Sequence, residues 1–120
     1  MRTINFRAWD NETKKIYSVH SFSAHDDGTV ELWSFDIDGE HKLTDYVLEQ
    51  YTGVDDVSGK PIYEGDIVRD EDGICEQVVF SDGGFFAGDM SVWDASLGYV
   101  IGNIHENPDL LEIGYIQEEE

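Results

Sequence analysis

The chain has 120 residues, 40% of them apolar and 12% aromatic, and carries 27 Asp and Glu against 7 Lys and Arg for a net charge of −20. That is the size of one ordinary domain or two small lobes, with enough large side chains to exclude a disordered chain. Affinity for nucleic-acid backbones and anionic membranes is gained from Lys and Arg, so this balance argues against both as partners.

Ile4, Phe6 and Ala8 alternate with Thr3, Asn5 and Arg7, the period of a half-buried strand. Asp10-Asn11-Glu12-Thr13 is turn chemistry, and residues 16–22 resume a β-type composition, which predicts an N-terminal hairpin. Asp26-Asp27-Gly28 marks a second turn, residues 30–35 a further strand, and Asp36-Ile37-Asp38-Gly39 another turn. Residues 43–52 fit a helix or a strand, with Val47, Tyr51 and Thr52 favouring a strand at the end of the segment.

The stretch from Gly53 to Pro61 is the most loop-like and the best candidate boundary. A strand begins at Ile67 and Val68, and residues 74–80, 85–87 and 99–105 read as strands, with turns at Asp70-Glu71-Asp72-Gly73 and Ser81-Asp82-Gly83-Gly84. Asn107-Pro108-Asp109-Leu110-Leu111 reads as one helical turn, Asn107 capping it and Pro108 in the first helical position. Residues 113–116 suggest a last short strand, and Gln117 with the three terminal glutamates a frayed tail. Short strands between Gly- and Asp-rich turns predict an all-β protein with little helix.

Charge is unevenly distributed. Residues 1–20 have a net charge of +2 and residues 21–69 of −9, while residues 70–120 hold thirteen acids and no Lys or Arg, a net of −13. Solubility is the plainest reading of such a surface, and a basic partner the functional one. Cys75 is the single cysteine, so no disulfide closes within the chain and a reducing compartment is the natural setting. The N-terminus lacks the apolar stretch of a secretion signal, and no apolar run approaches the about 20 residues of a bilayer span.

No motif specifies catalysis. His25-Asp26-Asp27 has the residue types of a metal or acid–base cluster, but stands before Gly28 where Asp bonds turn amides. Residues 36–40 and 70–72 are Asx-rich without the twelve-residue pattern of a calcium loop. Of the four histidines and one cysteine only His20 and His25 have short ligand spacing, and the Cys pair usual at a structural zinc is absent. Cys75 lies among acids that disfavour a thiolate, and Gly83-Gly84 is too short to cradle a phosphate. No catalytic, cofactor-binding or metal-binding residue is therefore assigned. Trp9, Trp33, Trp93, Tyr63, Phe85 and Phe86 are expected mostly in the core, with one or two exposed on a binding surface.

Three phrases occur together: residues 4–10, Ile-Asn-Phe-Arg-Ala-Trp-Asp; Gln50-Tyr51-Thr52-Gly53 followed by Ile62-Tyr63-Glu64-Gly65-Asp66-Ile67-Val68; and residues 100–108, Val-Ile-Gly-Asn-Ile-His-Glu-Asn-Pro. In this order and spacing they resemble the YopX family of bacteriophage and prophage proteins. The resemblance implies an N-terminal β region, over residues 1–50, and a C-terminal SH3-like small barrel, over 51–116, which leaves 117–120 as the acidic tail. It also implies a phage-borne gene and the cytoplasm of a bacterial host. It brings no established activity, so no functional residue is carried over. Gly65 and Asp66 add a physical argument for the barrel: a tight bend that the Asp stabilises before Ile67 and Val68 enter a strand.

Two functions are carried forward. The first is a non-enzymatic accessory module that binds a basic protein, in a sharper form by mimicking nucleic acid with a ribbon of carboxylates. The second is a small hydrolase or nuclease using acid-bound Mg²⁺. No direct nucleic-acid partner, membrane or cofactor is expected, and self-association is left open.

Overall fold

The computed structural model describes residues 3–36 and 39–116. Among them are twelve strands and two short helices, in two compact units, one of Ile4–Gln50 and the other joining Thr3 to the chain from Tyr51 on.

In the first unit β1 (Phe6–Asp10) pairs antiparallel with β2 (Lys15–Ser18) and with the first half of β6 (Tyr46–Asp55). Asp10 shapes the turn between β1 and β2: its side chain accepts the Glu12 amide at 2.9 Å, and its carbonyl the Lys14 amide at 2.8 Å. A second sheet has the order β3 (Ser21–Ala24), β4 (Val30–Asp36), β5 (Gly39–Leu43). Ala8, Leu32 and Leu43 form the buried cluster, with Tyr17, Val19, Val30, Tyr46 and Leu48 packed on it. The buried Glu49 is compensated by Arg7, its cross-strand neighbour, at 2.9 Å.

The sequence expectations need three corrections here. Ile4 is exposed and lies before β1, and Ala8, Trp9 and Asp10 are all buried, because a strand with neighbours on both edges does not alternate in exposure where both its faces are covered. Residues 16–22 are two strands broken at Val19 and His20, and they enter different sheets. The strand β5 was not anticipated. The ambiguous segment 43–52 is β-type, its greater part lying in β6. The turn expected at residues 36–39 falls partly on 37 and 38, outside the described residues, as does the tail from 117.

In the second unit β7 (Pro61–Tyr63) pairs with β6. Next follow β8 (Asp66–Arg69), β9 (Cys75–Ser81), β10 (Gly84–Ala87), β11 (Met90–Ser91), α1 (Val92–Ala95), β12 (Tyr99–Asn103) and α2 (Asp109–Ile113). The sheet order is β11-β10-β9-β8-β12, antiparallel throughout: four strands meander, and the last returns to the free edge of the first. This order is compatible with a small SH3-like barrel. The core gathers Ile62, Val68, Val78, Ala87, Val92 and Ala95, with Val54, Phe85 and Val100 against it.

Polar side chains lock the bends. Gly65 has φ +84°, open to glycine at little cost, and the buried Asp66 accepts the Tyr63 amide at 2.8 Å. One oxygen of the buried Asp56 accepts the Ser58 amide, the Ser58 hydroxyl and the Lys60 amide, and its other oxygen takes the Val100 amide at 2.9 Å, tying the loop after β6 to β12. Burial raises the Asp56 pKa, but the donated hydrogen bonds outweigh it and hold the carboxyl below its ordinary value.

Asn107 does not cap α2. Its side-chain oxygen instead accepts the Asn103 amide at 3.2 Å, and the helix starts after Pro108 without a side-chain cap. The reason is Gly102, where a Cβ would lie 2.4 Å from that oxygen: the missing side chain makes room for Asn107. Ile113 closes α2 rather than opening a strand, and Gly114, at φ +70°, terminates the helix in the left-handed conformation. Of the expected last strand only a bridge from Tyr115 to Ile74 forms.

Candidate protein-binding surface

The polar clusters singled out in the sequence are architectural. Asp27 accepts the Thr29 amide at 2.9 Å and hydroxyl at 2.6 Å, bonds that hold its carboxyl below the ordinary range. His25 lies 3.5 Å from Glu31 across an exposed hairpin. In the turn from Asp70 to Gly73, one Asp70 oxygen accepts the amides of Asp72 and Ile74, each at 2.9 Å. Asp82 and Gly83, both at positive φ, make the tight hairpin turn between β9 and β10. Cys75 is buried, and burial pushes its thiol pKa up against the opposing pull of Arg69. Among the described residues no group of three or more His, Cys, Asp or Glu side chains is placed to hold a metal ion, and no helix is long and apolar enough to cross a membrane. The Asx-rich stretch at 36–40 includes residues outside that description.

The aromatics separate more sharply. Trp9 is buried, and Trp33, Tyr63, Phe85 and Phe86 are half-buried. Trp93 is 72% exposed, the highest value for a large apolar side chain among the described residues. It stands on α1, whose other face delivers Val92 and Ala95 to the core. The helix is capped by Ser91, which accepts the Asp94 amide at 3.4 Å. Sequence reasoning missed α1, although Ser91-Val92-Trp93-Asp94 has the spacing of a capping box.

Leu97 and Tyr99, which follow α1, are also exposed. They line a cleft of about 290 Å³ with Arg69, Asp70, Glu71 and Gly98. Val57, 55% exposed, adjoins them through the hydrogen bond its amide N–H donates to the Gly98 carbonyl at 3.1 Å. Arg69 is the only cation lining the cleft and is itself buried, its Nε donating to the Ile116 carbonyl at 2.7 Å. A second, larger groove of about 510 Å³ runs along β9, lined by Cys75, Glu76, Val79 and Leu111 among others.

The model of the family described as YopX protein matches residues 5–112. The chain belongs to the YopX family. Among solved structures, protein EF1440 from Enterococcus faecalis superposes with a TM-score of 0.69 at 25% identity, the match covering 92% of this chain and 99% of that one. Protein yopX from Bacillus subtilis gives a TM-score of 0.67 at 24% identity over 100% of both chains, a likeness of fold. No curated protein sequence matches. Two of the three YopX-like phrases include a bend: Gly65 and Asp66 form one lock, and Gly102, Asn103 and Asn107 another, while residues 4–10 fall on β1 and the exposed segment before it.

Proposed function

We propose that the protein is a non-enzymatic accessory module of phage or prophage origin that works in the cytoplasm of a bacterial host by binding a basic protein. One observation carries the reading: exposed apolar side chains such as Val57, Trp93, Leu97 and Tyr99 stand in the span 51–120, where Lys60 and Arg69 are the only Lys or Arg, and Arg69 is buried. Exposed aromatic and aliphatic groups supply contact area, and an acidic rim selects a partner rich in Lys and Arg. The simple binding module is preferred to nucleic-acid mimicry because Asp56, Asp66 and Asp70 each accept hydrogen bonds from turn amides, so these three carboxylates serve the bends of the chain rather than a ribbon.

The test is a pull-down from bacterial lysate, eluted in salt steps and repeated with the variant Asp70→Asn/Glu71→Gln/Asp72→Asn. The reading expects a basic protein released at moderate salt and released earlier from the variant. An eluate identical to that of bare resin would contradict it.

A further inference from the structure

We propose that the corner formed by α1 and the start of β12 is the docking surface, and that its occupant is a peptide segment of a partner protein carrying an aromatic or aliphatic anchor between Lys or Arg residues. This rests on the protein-binding reading above and assigns it a place.

Three observations converge on the corner. First, Trp93 and Leu97, four residues apart along α1 and its end, are 72% and 58% exposed, where tryptophan is ordinarily well covered, and Leu97 shares its cleft with the exposed Tyr99 while Val57 bonds to Gly98 between them. Second, the area is held rigidly. Val92 and Ala95 anchor α1 in the core, and the Ser96 hydroxyl donates to the Trp93 carbonyl. Gly98 presses so closely on Arg69 that a Cβ there would lie 2.0 Å from the Arg69 carbonyl oxygen. Asp56 ties the segment bearing Val57 to Val100. A partner docking here meets a surface already ordered, which lowers the entropic cost of binding. Third, the accessible charge lining the cleft is negative. Asp70 and Glu71 line the cleft with Leu97 and Tyr99, and Asp94 is exposed on α1 itself.

Charge complementarity chooses the occupant. A second copy of this chain would bring the same acids to the same place, and a nucleic acid would bring phosphates. A segment with cations flanking an apolar anchor satisfies both parts of the surface. Trp93 is the expected hot spot, since tryptophan dominates such contacts and this one is free to be covered.

The experiment is an NMR titration of the ¹⁵N-labelled full chain with a set of capped heptapeptides, each with two lysines at either end and Phe, Trp, Leu or Ile at the centre. Hepta-lysine serves as the charge-only probe. The proposal expects at least one anchored peptide to bind more tightly than hepta-lysine, with shifts concentrated on the Trp93 indole N–H and on the amides of Val57, Leu97 and Tyr99. Trp93→Ala should weaken that peptide about tenfold. Leu97→Ser should weaken it as well, with the remaining resonances of both variants unmoved. Shifts centred on the groove of Val79 and Leu111 would overturn this placement and leave protein binding standing. Equal binding of hepta-lysine, or indifference to Trp93→Ala, would overturn it too. Silence from every peptide would overturn both the placement and the basic-partner reading.

Discussion

Asp56 shows how a single carboxylate organises this chain. Asp56→Asn keeps an oxygen for the Ser58 and Lys60 donors but turns an NH₂ toward the Val100 amide, so the link to β12 fails while the turn survives. Chemical denaturation should show a loss of about 2 kcal/mol, and Asp56→Ala a larger one, since hydrogen bonds to a charged group contribute about 1.5–3 kcal/mol. The pH dependence has a definite sign. The folded-state pKa lies below the ordinary value of 3.8, so the contribution is complete above that value and is lost as pH falls through the lower, folded one. Wild type should therefore lose stability more steeply than Asp56→Asn below about pH 4 in melts recorded against pH. Equal slopes would show that this carboxylate is not preferentially ionised in the folded protein.

At the scale of elements, Gly102 and Asn107 form one device. The Cβ of Gly102→Ala would meet the Asn107 side chain at 2.4 Å and displace it from the Asn103 amide. Gly102→Ala should cost about 2 kcal/mol alone and markedly less in an Asn107→Ala background, a coupling that a double-mutant cycle measures. Additive costs would mean that the two positions act separately. This device also explains which elements the sequence revealed. Turns written in Asp and Gly, at residues 10–13, 26–28, 70–73 and 81–84, were legible because their chemistry is local. The division of residues 16–22 between two sheets was not, since pairing partners decide it. The polar strand β5 lacks an alternating pattern and is defined by its pairing to β4. Asn107 has the sequence of a helix cap, and the space left by Gly102 takes it elsewhere. Composition suggested that some aromatic would be exposed, but only the orientation of α1 singles out Trp93, because its neighbours Val92 and Ala95 take the inward face.

Over the whole molecule the net charge of −20 acts as a field. Like charges at this density repel, and the screening length shrinks from about 30 Å at 0.01 M salt to about 10 Å at 0.1 M. The melting temperature should climb between those concentrations of simple monovalent salt, in thermal melts followed by circular dichroism. A flat response would mean that the carboxylates are locally compensated, as Glu49 is by Arg7. On the proposed function the same field would select partners, drawing in cations and turning phosphates away.

That division between basic protein and nucleic acid is the centre of the account, and a native-gel mobility shift run with two labelled probes in one low-salt buffer tests it directly. With micromolar protein, a lysine-flanked, leucine-centred heptapeptide should be carried into the protein band and double-stranded DNA should run free. A retarded DNA band, with the peptide unbound, would contradict the account and make a direct nucleic-acid role the better reading.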